Sequence, residues 1–390
     1  MGKILETILL ETNGKSYKTA KHEIDLTDNY FATSEKITWK KYAESPHKEH
    51  SIYLKTLADD CLKKSESPFV YFLDGSRHVF KIDDVLYLDK IYPITAGQIC
   101  VACCERKNRK IYPLNYKNKN GLKYDIVIAL PKVAGKSDWI ENDDEFEELC
   151  KKLNSYRDYN NYSKKVQFSK ILSYPKNGIN FKDSDKFETM SISVIQDFMI
   201  EQEKNLVADL ADNNLLSNDK MLLKDGSIEY PITSKSSKEL RKFKENYRYA
   251  LGISKSFNLE NYVDKHNKNN SDKIAELPLY HRTPVSLYHS DRVGDVNFAV
   301  WFVRVRETRY TNSVFSGILK IEKILVTDSE NEKGLDSEEV NLLTANIINE
   351  RNPVCYGNDS RWANHLYPIY LTEQYIKSKF ISSELFMNLF

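Results

Sequence analysis

No stretch of this chain reaches the roughly 18 consecutive apolar residues that a membrane span requires. The first 13 residues are only briefly apolar and carry Glu6 and Glu11. They offer neither a basic leading segment nor a small-residue cleavage site, so no secretory leader is expected there. These absences predict a cytoplasmic protein with no membrane contact. An excess of charge is missing as well: 57 Lys and Arg stand against 56 Asp and Glu, a net charge of +1. Without a basic coat, any contact with a polyanion must come from a local groove whose charge is offset elsewhere. Charge alone fits a chain with no such contact equally well.

Other signatures are wanting too. There are six cysteines, and Cys100 and Cys103 form a C-x-x-C with Cys104 beside it. No second cysteine or histidine pair completes a zinc site, and the apolar flanks point to buried thiols in a core strand. The phosphate loop G-x-x-x-x-G-K-[ST] does not occur, which excludes a nucleotide-driven motor within this chain. No nucleophilic Ser or Cys signature stands out, and nothing ties His281 and His289 into a triad.

What is present is globular. The chain has 390 residues, 29% charged and 41% hydrophobic, enough for one large domain or two ordinary ones. Residues 1–60 read as a support segment and residues 61–390 as the main domain. The 25 tyrosines and 17 phenylalanines mostly sit at strand spacing, where core packing explains them. Residues 68–73 form an apolar run that ends at Asp74-Gly75-Ser76, a turn signal, and residues 78–82 read as its hairpin partner. Further strands are expected over 97–103, 124–130, 249–256, 296–305 and 317–326. Residues 142–213 read as helical; within them Ile195, Met199, Leu206 and Leu210 share one face at a 3.6 period. Residues 234–242 suggest a loop or an exposed helix start, and residues 263–273 a surface loop. Helices are expected over 337–350 and 368–389. The pattern predicts an α/β protein, a mixed sheet flanked by helices.

One arrangement carries chemistry. Residues 220–227 repeat the first pattern, an apolar strand closing on Asp225-Gly226-Ser227, and a helix with carboxylates lies between the two aspartates. Phosphodiester hydrolysis with divalent metals needs carboxylates converging on the ions, which then activate water and orient the phosphate. Mg²⁺ and Mn²⁺ favour such oxygen ligands. A glycine after the aspartate lets a ligand approach the backbone. Asp-Gly is also the commonest hairpin turn, so Asp74 and Asp225 are read either as turn residues or as ligands. On the helix, Glu201 lies off the apolar face, whereas Glu203 interrupts it. A carboxylate pointing inward is costly unless paired or metal-bound. Glu203 is therefore read as a third ligand, or else as a boundary glutamate paired with a lysine.

These residues resemble a known family. Phe72-Leu73-Asp74-Gly75-Ser76-Arg77 looks like the first motif of the NurA nucleases, and Leu222-Leu223-Lys224-Asp225-Gly226-Ser227 like their second block. Gly252-Ile253-Ser254-Lys255-Ser256 is similar to their Gly-x-x-Lys-Ser element. His281-Arg282-Thr283-Pro284 resembles their Arg-Ser-Pro element, and Tyr367-Pro368 with Leu371 their C-terminal Tyr-Pro motif. Five short motifs in family order span residues 68 to about 380. The resemblance implies an RNase-H-like (PIWI-like) core that cleaves DNA with Mn²⁺ or Mg²⁺. It further implies a homodimer docked on a HerA-type hexameric ATPase, in DNA-end processing or antiviral (anti-phage) defence. By carry-over Asp74, Glu203 and Asp225 hold metal, while Arg77, Lys255, Arg282 and Tyr367 contact DNA or edge the active site.

The sequence also departs from the family. Its members place a histidine eight residues past the motif tyrosine; here that residue is Tyr375, with Glu373 and Gln374 beside it and His365 out of register. Either Glu373 or Gln374 supplies the last ligand, or the site is weakened. An inactive adaptor that binds DNA and caps a translocase ring is the rival reading, and an RNA-directed nuclease of the same fold a third. Arg304, Arg306 and Arg309 are read as lining a groove or as a solvated face. Asp359 is read as a further carboxylate or as a turn residue.

Overall fold

The computed structural model describes residues 2–16, 21–24, 37–40, 42–64, 66–117, 119–135, 143–155, 166–174, 187–230, 236–257, 271–290, 293–308, 311, 313–351 and 362–390. The expectations for 263–270, Arg309 and Asp359 lie outside them. Eight strands form the body of one mixed sheet: β1 (Phe69–Tyr87), β2 (Lys90–Lys107), β4 (Leu122–Pro131), β5 (Phe168–Tyr174), β6 (Met221–Asp225), β7 (Ala250–Ser254), β8 (Asn297–Arg304) and β9 (Ile318–Ile324). A short β3 (Lys110–Pro113) pairs with the end of β2. The order across the sheet is β5-β4-β2-β1-β6-β7-β9-β8. Strands β1, β6 and β7 run parallel, as do β4 and β5; the other neighbours are antiparallel.

Helices cover both faces, which is why the central strands read as continuous apolar runs. The principal helices are α1 (Lys3–Thr12), α2 (Lys55–Lys64), α3 (Asp143–Ser155), α4 (Phe187–Asp212), α5 (Ser337–Asn349) and α6 (Tyr367–Lys377). On one face α4 lays Ile195, Met199, Leu206 and Leu210 onto Leu73, Val79, Val101 and Val127. These are alternate residues of β1, β2 and β4, as the period of two requires. The opposite face carries three clusters. Helices α2, α5 and α6 pack on Phe72, Leu223 and Ile253. Ile376 of α6 meets Cys100 and Ala102. Helices α1 and α3 join Phe386 and Phe390 over Phe80, Ala96 and Ile128. The support segment thus packs into the same cores as the rest of the chain.

Several expectations change. Asp74-Gly75-Ser76 is not a turn. Strand β1 runs straight through it, with Asp74 opposite Ala102, Gly75 opposite Val101 and Ser76 opposite Cys100. Partner strand β2 pairs with it from Tyr71 to Tyr87, with one register shift between Lys81 and Asp83, so the residues read as a hairpin partner are the same strand continued. The hairpin falls instead after Tyr87, where Leu88 takes φ 56°. Strand β5 lies inside the stretch read as helical. The closing helix divides into α6 and Ser383–Met387. Cys100 and Cys103, three apart on one strand, face opposite sides of the sheet and are both buried, so they cannot share a metal. No helix among the described residues is long and apolar enough to cross a membrane.

Candidate functional site

Strand register builds the first half of the site. Lys224 of β6 lies opposite Leu73 of β1, so the next residues in each parallel strand, Asp225 and Asp74, stand side by side on one face. Neighbouring strands are about 4.8 Å apart, which brings two carboxylates close together. Asp225 closes its strand, and Gly226 turns the chain at φ 79°. That turn is pinned from β9: the Glu322 carboxylate accepts from the Ser227 hydroxyl at 2.7 Å and from the Ile228 amide at 3.0 Å.

Two more groups reach the same place. Lys255 follows β7, and its backbone carbonyl accepts from the Asn364 side chain at 2.7 Å. Its ammonium donates to Asp225 at 3.0 Å and lies 3.9 Å from Glu373. Glu373 comes from the second turn of α6 and also pairs with Lys377 at 2.7 Å. Four elements therefore contribute one charged group each.

Electrostatics follow from burial and neighbours. Burial pushes the Asp74 carboxyl well above the ordinary carboxylate value; Asp225, Glu373 and, least of all, Glu203 push the same way, while Lys255 opposes them. Burial lowers the Lys255 ammonium, but Asp225, Asp74 and Glu373 outweigh it and hold it above its usual value. Burial raises the Glu373 carboxyl, and the hydrogen bond from Lys377 with the charges of Lys255, Lys377 and His365 brings it below normal. His365 thus acts on the site through its field, although it stands ahead of the Tyr-Pro pair.

Two carboxylate oxygens at this site, Asp225 Oδ1 and Glu373 Oε2, are buried with no hydrogen-bond partner. Buried polar atoms are seldom left so. Three carboxylates surround a single deeply buried ammonium, an acidic excess made of hard oxygen donors. Both observations fit a divalent cation such as Mg²⁺ or Mn²⁺. Among the described residues no three His, Cys, Asp or Glu side chains already stand at metal-ligand spacing. A cation would have to share the space of the Lys255 ammonium.

Glu203 lies elsewhere. It reaches the sheet from the α4 face, opposite the one that carries Asp74 and Asp225. There it pairs with Lys224 at 3.1 Å and accepts from the Tyr230 hydroxyl at 2.9 Å. This is the lysine-paired arrangement. It also explains Gly75: a Cβ at that position would lie 2.5 Å from Glu203 Oε1. The glycine makes room for a buried carboxylate within a strand and serves no turn.

The remaining candidates divide. Arg282 is taken up by internal partners. Its side chain is fully buried, donating to Glu44 at 2.7 Å, to Asn341 at 2.7 Å and to Ser337 at 3.1 Å. A buried cation needs partners of this kind, and they leave it no exposed face. Lys255 is inside the site and not on a groove. Arg77 is half-buried on β1, and Tyr367 is exposed at the start of α6. Arg304 is buried and donates to the carbonyls of Ala275 and Val314, so it neither lines a groove nor faces solvent. Of the two alternatives for the last ligand, Glu373 points into the site and Gln374 is exposed. A sequence signal existed for Glu373: it shares a helical face with Ile369, Thr372 and Ile376, all buried.

The fold and the site define a mixed α/β protein with a carboxylate cluster on its central parallel strands β1 and β6, completed by helix α6. The chain is similar to a solved structure, the crystal structure of the NurA nuclease from Sulfolobus solfataricus, at 9% identity and a TM-score of 0.38, over 82% of this chain and 83% of that one. A likeness this slight carries no inference about activity. No family model matches the sequence, and no curated protein matches it either.

Proposed function

We propose that this protein is a phosphodiester hydrolase, a DNA nuclease that uses a divalent cation held by Asp74, Asp225 and Glu373. The observation that carries this reading is the convergence of these carboxylates with two of their oxygens buried and without a hydrogen-bond partner. A bound cation supplies Lewis acidity and lowers the pKa of its water. The chain's own groups do the rest. Asp225 and Glu373 would hold the ion between strand and helix, and Lys255 would offer a fixed ammonium to a phosphate oxygen. DNA as substrate, a second copy of the chain and a HerA-type ATPase hexamer as partners are proposed on the ordered motifs alone. In this reading Glu203 supports Gly75 and Lys224 from behind and does not bind metal.

A second reading rests on Lys255 itself. An ammonium already paired within the cluster suits an internal ion-pair centre in a non-catalytic adaptor that binds DNA. One comparison separates the two. Wild type should cut DNA only with Mn²⁺ or Mg²⁺, and Asp225→Asn should lose at least about 100-fold while keeping its far-UV and near-UV spectra. Equal cleavage by the variant, or none by wild type with either ion, would sink the nuclease assignment.

A further inference from the structure

A cavity of about 570 Å³ lies on the α6 face of the sheet and shares no residue with the carboxylate cluster. Its walls come from the β2–β3 hairpin, the end of α5 and the start of α6. Four cations line it, Arg106, Arg109, Lys110 and Arg351, against the single carboxylate of Glu350. Two of these are fixed. Arg106 forms a two-point pair with Glu350 at 2.8 and 2.5 Å and lies 5.0 Å from the centre of the Phe72 ring. Arg351 donates to the Ile348 carbonyl at 2.7 Å and lies 5.3 Å from the centre of the Tyr280 ring. The other two, Arg109 and Lys110, are exposed and form no ion pair with any described residue.

The hairpin adds an independent observation. Lys107 pairs with Lys110, leaving two central residues, Asn108 at φ 50° and Arg109 at φ 62°. A turn with both central residues left-handed favours Asn-Gly. Asn108 conforms. Arg109 stands where glycine is favoured, and its side chain lines the cavity. Two tyrosines complete the walls, Tyr112 at 45% and Tyr367 at 44% exposure. Cations that recognise phosphate beside open aromatic faces that accept a base are the two halves of nucleotide recognition. The volume falls within the range of small-ligand sites.

We propose that this cavity binds a phosphate-bearing nucleotide unit, with the phosphate among Arg106, Arg109 and Lys110 and the base against Tyr112 or Tyr367. Two sources share that chemistry, the phosphorylated end of a strand and a free mononucleotide. The site is independent of whether the carboxylate cluster hydrolyses anything.

The test uses the full chain in EDTA, which removes turnover. A dye-labelled 5′-phosphorylated tetranucleotide is titrated and followed by anisotropy. The competitors are the same oligonucleotide with a 5′-hydroxyl, dTMP and inorganic phosphate. Arg109→Gly deletes the cation and installs the residue the turn favours, so its melting temperature should hold or rise while affinity drops about tenfold or more. Lys110→Gln should weaken binding in the same direction. Lys90→Gln, an exposed cation on the β1–β2 hairpin outside both sites, should bind as wild type, which separates the cavity from a general charge effect. Competition by dTMP as strong as by the phosphorylated oligonucleotide assigns a free nucleotide; weaker competition assigns a strand end. The proposal is overturned if both cavity variants bind as wild type, if the tetranucleotide and dTMP fail to bind at millimolar concentration, or if inorganic phosphate competes as well as they do.

Discussion

Gly75 and Glu203 face one another across a gap that no side-chain carbon can enter, because a Cβ on Gly75 would lie 2.5 Å from the Glu203 oxygen. The carboxylate cannot simply swing away, since Lys224 and Tyr230 both hold it. Gly75→Ala should therefore destabilise the fold by about 1–3 kcal/mol, the range for overpacking a filled core. Glu203→Gln should also destabilise, because it leaves Lys224 buried without its counter-charge. The double variant should be markedly non-additive, as expected of residues in contact. Additive losses in urea denaturation would mean that the contact is not what requires the glycine. Asp74 yields a prediction with a definite sign. Its folded carboxyl keeps a proton to higher pH than the unfolded one. Between those two values the folded state holds more protons, so stability falls as pH rises. In EDTA, Asp74→Asn should then lose less stability than wild type as pH rises above the ordinary carboxylate value. A steeper loss in the variant would contradict the assigned environment.

Elements decide what the sequence could show. The period of α4, the apolar runs of β6 and β7, and the paired strands β8 and β9 were all legible, because local pattern and final burial agree there. Asp74 was legible as a charged residue on a central strand but not as one in mid-strand. Asp-Gly-Ser has the same letters whether it turns, as after β6, or runs on, as in β1; only the ladder to β2 distinguishes them. Glu203 showed that it points inward, but which partner meets it depends on Lys224 from a strand 21 positions further on. Arg282 was the residue sequence motifs misplaced. A cation in a short motif looks like a phosphate contact, and nothing local reveals that Glu44 of the support segment will bury it. Its pair joins that segment to the sheet edge and to α5. Removing one partner of a fully buried pair costs about 3–5 kcal/mol. Arg282→Ala should therefore unfold at clearly lower denaturant, whereas Arg282→Ala protein that remains folded should bind oligonucleotides as wild type does. A selective loss of binding without loss of stability would restore the ligand-contact reading.

Across the whole molecule, the candidate cation site joins parts that the chain keeps far apart. Asp74 and Asp225 belong to adjacent strands of the sheet, Lys255 to the end of a third, and Glu373 to a helix laid over them. An ion bound there would tie helix to sheet, and a ligand that binds only the folded state stabilises the molecule as a whole. The expected gain is about 2.7 kcal/mol when free cation stands at 100 times its dissociation constant. Without the ion, the site keeps an acidic excess around one ammonium, so EDTA should lower the unfolding midpoint and Mn²⁺ or Mg²⁺ should restore it. Ca²⁺, which prefers longer bonds and more ligands, should restore it differently. Asp225→Asn should remove the response, because one of the two buried oxygens without a hydrogen bond belongs to that residue. Lys110→Gln, in the separate cavity, should leave the response intact. These outcomes need no nuclease assay. A wild-type chain whose melting ignores Mn²⁺ up to millimolar concentration would instead assign the cluster to Lys255 alone. The adaptor reading would then account for why an ammonium occupies the centre of the carboxylates.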